Sequence, residues 1–217
     1  MLAAASLTDV FAELAEDFEQ ANPGTEVTVS FGGSITLVHQ VLDGAPADVL
    51  ATADERTMAE VVEAGMVEGE PRVFAQSSLV LAVPTGNPGE VDGLDDLAVD
   101  ERFVGLCAVD VPCGALATRL LEAAQVEASA DTHEPDVRAL LTKLAAGELD
   151  AGLVYRTDAL AEDKVELVDV AGIEEMTTAY PLAVLAPGRT AAARAFADFV
   201  VGESAQAVLS DHGFQIP

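Results

Sequence analysis

Four short segments of this chain place a small or proline-linked residue where a strand or loop runs into a helix. They are Ala5-Ser6-Leu7-Thr8-Asp9, Phe31-Gly32-Gly33-Ser34-Ile35-Thr36, Val111-Pro112-Cys113-Gly114 and Glu134-Pro135-Asp136-Val137-Arg138. Ser6 and Asp9 have the spacing of a helix capping box. The paired glycines before Ser34 allow close backbone approach, and Pro135 suits a first helical position. A helix N-terminus offers unpaired amide N–H groups and about half a positive charge, so it attracts anions without Lys or Arg. Each segment alone also reads as an ordinary helix start. Two precede residue 80 and two come after it, and that distribution points to anion capture by neutral donors from two parts of the chain.

Signatures of bond-making chemistry are mostly missing. Gly32-Gly33-Ser34-Ile35-Thr36 is not a nucleophile elbow, because Thr36 stands where glycine is required. Neither a phosphate-binding P-loop nor GxGxxG occurs, and His39, His133 and His212 lack zinc-ligand spacing. Cys113 at a helix start can serve as an activated nucleophile, and its neighbours Pro112 and Gly114 fit a backbone-contact role equally well.

The elements that must position these residues alternate between short apolar runs and amphipathic stretches, which predicts an α/β architecture with mostly parallel strands. Strands are expected at Glu26–Phe31, Asp48–Ala51, Ser78–Val83, Phe103–Ala108, Ala151–Tyr155, Val165–Val168 and Tyr180–Ala186. Helices are expected at Leu7–Phe18, Ile35–Leu42, Glu55–Ala64, Gly114–Ala124, Asp136–Ala146 and Ala191–Val201. The 217 residues amount to one large or two small domains at ~150 residues each. Two runs resemble each other, Leu79 to Gly86 and Leu182 to Gly188, each an apolar strand closed by proline and glycine. They predict a discontinuous lobe of residues 1–78 and 183–217, a second lobe of 79–182, and a ligand cleft between lobes. The plainer alternative is two unrelated buried strands.

Composition narrows the partners. There are 38 acidic and 10 basic residues, a formal charge of −28, and no Lys/Arg cluster, which excludes nucleic-acid binding. The longest apolar runs fall well short of the ~18 residues that cross a bilayer. Cys107 and Cys113 are too few for a disulfide scaffold or a zinc site; they either pair with each other or stay free. The chain opens close to a strand end at Met1-Leu2-Ala3-Ala4-Ala5 without a signal segment, so a removed or mis-set natural start is expected.

Taken in order, Ala3 to Thr8, Phe31 to Ser34 with Thr36-Leu37, and Gly44-Ala45-Pro46-Ala47-Asp48 resemble the molybdate-binding proteins of bacterial ABC importers, the ModA family. Val111 to Gly114, Asp136-Val137-Arg138, Gly152 to Tyr155 and the ending Gly213 to Ile216 continue the resemblance over nearly the whole chain. It implies a type II periplasmic-binding-protein fold, two α/β lobes joined by two hinge strands and closing on a tetrahedral oxyanion. It also implies a ligand set: Ser6 and Ser34 through hydroxyl and amide, Cys113 and Val137 through amides, and Tyr155 through its phenol. The family usually has alanine at Cys113, which an amide contact tolerates, and a Cys107–Cys113 bridge would stiffen that loop.

The resemblance further implies an extracytoplasmic, periplasmic or lipid-anchored monomer, not an enzyme. It would hand molybdate or tungstate to a membrane permease, with no resident cofactor and no metal beyond the oxyanion itself. Every implied contact can donate a hydrogen bond, which suits a fully deprotonated dianion. Phosphate near neutral pH carries a proton and would need an acceptor. The alternatives are a sulfate or other small-oxyanion binder, a Cys113-dependent enzyme, and a pure interaction module.

Overall fold

The computed structural model describes residues 1–186 and 190–217, so Pro187 and Gly188, which close the second repeated run, lie outside the described residues. The chain separates into two units: Met1–Gln76 with Ala179–Pro217, and Ser77–Thr178. It passes from the first to the second within one strand, Val67–Pro84, and returns within another, Thr177–Leu185.

In the first unit, β1 (Leu2–Ala4) is flanked by β2 (Ser30–Gly32) and β3 (Val49–Ala51), both parallel to it, and β3 pairs antiparallel with β9 (Thr177–Leu185). Helices α1 (Thr8–Ala21), α2 (Ser34–Leu42) and α3 (Glu55–Glu63) connect or follow these strands; α7 (Ala191–Val200) and α8 (Glu203–Asp211) end the chain. Leu37, Val38 and Val41 of α2 and Met58 and Val61 of α3 pack on Leu2, Leu50, Ala183 and Leu185 of the sheet. A second group is aromatic. Phe11 meets Phe74 edge-on at 5.6 Å, Phe18 meets Phe196 at 5.2 Å, and Tyr180 meets Phe214 at 5.4 Å. Such edge-to-face pairs add to their area burial.

The second unit repeats that local topology. Here β5 (Val104–Cys107) is the middle strand, with β6 (Ala130–Glu134) and β7 (Ala151–Tyr155) parallel on either side. The strand β4 (Val67–Pro84) adds antiparallel to β7, and β8 (Val165–Val168) adds antiparallel to β4. Helices α4 (Pro112–Ala124) and α5 (Val137–Ala145) join the parallel strands, and α6 (Arg156–Leu160) follows β7. Gly105 and Gly152 are register partners. A Cβ on Gly105 would come within 2.6 Å of Leu140 and 2.4 Å of Leu149, so α5 lies flush on the sheet because these positions are bare. At Gly114 a Cβ would stand 1.9 Å from the Ala108 carbonyl oxygen, so α4 begins tight against the loop that leads into it. A Cys107–Cys113 disulfide joins the end of β5 to the first turn of α4 across the same loop.

Several expectations from sequence need correction. The strands β1–β3 and β5–β7 are parallel as expected, but β4, β8 and β9 add antiparallel, which makes the sheets mixed. The strand expected over Glu26–Phe31 is regular only from Ser30, because β1 offers partners from the Leu2–Ser30 register onward, and the Val27 amide donates to Glu19 Oε1 instead. The strand expected over Ser78–Val83 begins at Val67, its polar first half hiding it from an apolar pattern. Four of the strands and α-helices lie outside the expected set, among them β1, which is only three residues long. β6 is an edge strand with the polar sequence Ala-Asp-Thr-His-Glu, α6 spans only five residues, and α8 buries little more than Ala205 and Leu209. Ser6 does not cap α1: it lies in a 3-10 turn, Ala5–Leu7, and Leu7 precedes the helix without a side-chain bond.

Two features of the second unit bear on stability. Gly114→Ala, which sets a methyl group against backbone, should lower unfolding stability by about 1–3 kcal/mol in urea melts; an unchanged midpoint would show that the loop yields freely. Opening the disulfide with a dithiol, or in a Cys107→Ala/Cys113→Ala chain, should cost about 2 kcal/mol by the loop-closure estimate. Equal melting of both redox forms would contradict a constraining role.

Candidate functional site

In an open α/β sheet, ligands bind beyond the carboxyl ends of the strands where strand order reverses. Each unit has such a point: the chain leaves the middle strand for one neighbour and later returns on its other side. These points are the ends of β1 and β5. All five residues singled out in the sequence fall on these two edges, two in the first unit and three in the second.

In the first unit, Ala4 of β1 is the register partner of Gly32 of β2, so Ser6 and Ser34 each lie two residues beyond a paired strand end. Both are buried. Ser6 Oγ has no hydrogen-bond partner among the described residues. Ser34 opens α2 behind Gly33, which supplies no side-chain cap, so the first-turn N–H groups have no side-chain acceptor from that residue. Ser34 Oγ accepts from the Ala53 N–H at 3.0 Å, a bond that crosses the end of β1 from the loop after β3. Accepting that bond leaves the Ser34 hydroxyl proton able to donate. Ala53 escapes a reading of the sequence, since a backbone amide carries no residue-type signal. Thr57, in the first turn of α3, holds a further buried hydroxyl without a partner among the described residues.

In the second unit, β5 ends at Cys107 beside Glu134 of β6. Cys113 is the second residue of α4, behind Pro112; the preceding Val111 makes no side-chain cap bond. Val137 is the first residue of α5. Asp136 caps that helix by accepting from the Ala139 N–H at 2.9 Å, which leaves the amide of Val137 outside the cap bond. Tyr155 ends β7 with its ring fully buried. The disulfide consumes the Cys113 sulfur, and the described residues include no free cysteine. The thiol nucleophile considered from the sequence is therefore not available in this form.

Three carboxylates near these edges already face protein donors. Asp54 accepts from the Thr57 N–H at 2.8 Å. Glu134 receives Lys143 Nζ at 2.5 Å together with the Thr132 hydroxyl. Burial alone would raise its pKa, but those two bonds and the lysine charge hold it below the usual glutamate value. Asp158, whose side chain is fully enclosed, faces Arg138 Nε at 2.9 Å. The arrangement thus presents hydroxyls and amides, with Asp54, Glu134 and Asp158 each engaged by a protein group.

Comparison with known proteins agrees with this chemistry. The family model for bacterial extracellular solute-binding proteins matches residues 1–215. The molybdate-binding protein ModA of Mycobacterium tuberculosis H37Rv is 35% identical over 219 residues, covering 100% of this chain and 84% of that protein. ModA of Escherichia coli K12 is 30% identical over 235 residues, covering 100% and 88%. Among solved structures, the Azotobacter vinelandii periplasmic molybdate-binding protein superposes with a TM-score of 0.79 at 23% identity, over 100% of this chain and 98% of that one. The sulfate-binding protein SubI of Mycobacterium tuberculosis gives 0.79 at 22%, over 99% and 85%. The two structural likenesses carry the type II periplasmic-binding fold. The sequence matches carry membership: this chain belongs to the bacterial extracellular solute-binding proteins, among the ModA relatives.

Proposed function

We propose that this protein captures molybdate, and tungstate with it, outside the cytoplasm and delivers it to the permease of an ABC importer. Relatives named for molybdate support the reading, at 30–35% identity over the full chain. The single observation that carries the chemical reading is the Ser6 hydroxyl, buried at the end of β1 without a partner among the described residues. Leaving such a group unpaired costs about 1–3 kcal/mol. An incoming oxyanion removes that cost, and Ser34, already accepting from Ala53, has its proton to give. The proposed ligand set is Ser6 and Ser34 from the first unit with the amides of Cys113 and Val137 and the Tyr155 phenol from the second. Nothing in this reading requires a resident cofactor; the oxyanion is cargo, and one chain suffices to supply every donor.

A set of donors discriminates by protonation. Molybdate, tungstate and sulfate are fully deprotonated near neutral pH and present only acceptors. Monoprotonated phosphate brings a donor, and the carboxylates near the strand ends are occupied by Thr57, Lys143 and Arg138. Its proton would meet only the hydroxyl oxygens of the ligand set, weaker acceptors than a carboxylate. Discrimination between molybdate and sulfate then rests on size, which favours the larger ions if the amide spacing is set for longer metal–oxygen bonds.

The net charge of −28 opposes an anionic ligand at a distance. Exposed charges are screened over ~8 Å at physiological salt, whereas the donors touch the ligand. Repulsion therefore acts on the approach more than on the bound state. Stopped-flow association with molybdate should accelerate as salt rises from low ionic strength; a rate that falls with salt would mean that local positive potential governs capture.

Ser34→Ala and Tyr155→Phe each delete one donor to a charged ligand and should weaken molybdate binding by about 1–3 kcal/mol in calorimetric titration. Wild-type affinity in both variants would remove them from the ligand set. In the same titrations the unaltered protein should bind molybdate and tungstate far more tightly than phosphate. A preference for phosphate or sulfate would overturn the cargo assignment.

A further inference from the structure

We infer that the Arg138–Asp158 ion pair is a positioning device that holds the Val137 amide and the Tyr155 hydroxyl in one fixed relation. This rests on the ligand set proposed above and goes beyond it to residues that do not touch the oxyanion. Arg138 directly follows Val137 in the first turn of α5, and Asp158 lies three residues past Tyr155 in α6. The Nε–Oδ1 distance is 2.9 Å, with the Asp158 side chain wholly enclosed and Arg138 about a quarter exposed at 27%. The bridge therefore ties the start of one donor-bearing element to the end of another. Two further contacts make the frame stiff. Thr157, beside Asp158, shares a 3.2 Å hydrogen bond with Ser77 of β4, and α5 is seated on bare glycine backbone, with Leu140 and Leu144 3.3 Å from where a Gly152 Cβ would be.

The energetics favour positioning over stabilisation as the role of the pair. Removing two charges from water offsets most of their attraction, so a buried ion pair often stabilises a fold no better than apolar residues of the same volume. What it does supply is a specified geometry. Tetrahedral oxyanions of different size are told apart by donor spacing, and an error near 1 Å in such spacing is felt strongly. The pairing has a second consequence. It commits the guanidinium next to Val137 to a protein carboxylate, so the ligand meets amide and hydroxyl rather than a mobile cation that would accept any anion.

The test uses the full chain with calorimetric titration of molybdate and sulfate, alongside urea melts without ligand. Asp158→Asn and Arg138→Gln should each weaken molybdate binding about tenfold and narrow the molybdate-to-sulfate ratio. Arg138→Lys, which keeps the charge, should recover most of the loss seen in Arg138→Gln. Asp158→Asn combined with Tyr155→Phe should lose less than the product of the two single effects, because both disturb one geometry. Wild-type affinity and selectivity in Arg138→Gln would overturn the inference, as would independent losses in the double variant. If Asp158→Asn does not fold, the Arg138→Gln and Arg138→Lys pair decides the matter alone, since that side chain reaches solvent. Failure of the unaltered protein to bind molybdate would instead overturn the cargo reading, and the two failures are distinct.

Discussion

Parallel pairing around a middle strand is the constraint on which the rest depends. When β2 and β3 both run parallel to β1, and β6 and β7 both run parallel to β5, their carboxyl ends collect on one edge of each sheet. The connecting helices must then start at that same edge, because a parallel crossover returns the chain to the opposite end. Helix N-termini carry unpaired N–H groups whatever the sequence. Concentrating α1 and α2 in one unit, and α4 and α5 in the other, thus creates a local excess of donors without any cationic side chain.

That device explains how a chain with 38 acidic residues can serve an anion. Its carboxylates are spread over the surface or tied to protein donors, as Glu134 is to Lys143 and Asp158 to Arg138. The groups proposed to hold the ligand are neutral. Neutral donors have an advantage over arginine here: their directions are set by backbone and by packed hydroxyls, so they can require both charge and the absence of a proton. Ser34 illustrates this, since one backbone amide from the neighbouring loop takes up one of its acceptor positions and leaves its proton to give.

The second unit shows how much bare backbone matters to such a site. Gly105, Gly114 and Gly152 all occupy positions where a Cβ would come within 3 Å of another atom, and all lie on or beside the elements that carry Cys113, Val137 and Tyr155. The disulfide acts in the same region, restraining the turn between β5 and α4. Glycine packing sets the distance of helix from sheet, the bridge limits loop motion, and the buried ion pair fixes the register of α5 against α6. Each acts on donors that have little freedom of their own, being backbone amides or a ring locked in a core.

Strongly periodic elements are legible in the sequence. Ala151–Tyr155 and Val165–Val168 match to the residue, and α2 to α5 to within two residues at either end, because apolar spacing and helix starts are local properties. Signals fail where tertiary context replaces them. β6 is polar because it is an edge, α6 is too short for a period, and Glu26–Val29 looks like a strand but meets only Met1 at its end. The donor chemistry of Ser6, Ser34 and Tyr155 is visible in residue type and motif order. The Ala53 amide on Ser34 and the Arg138–Asp158 pairing are not, for one physical reason: each depends on which loops meet after folding, and spacing along a chain does not encode distance across a sheet.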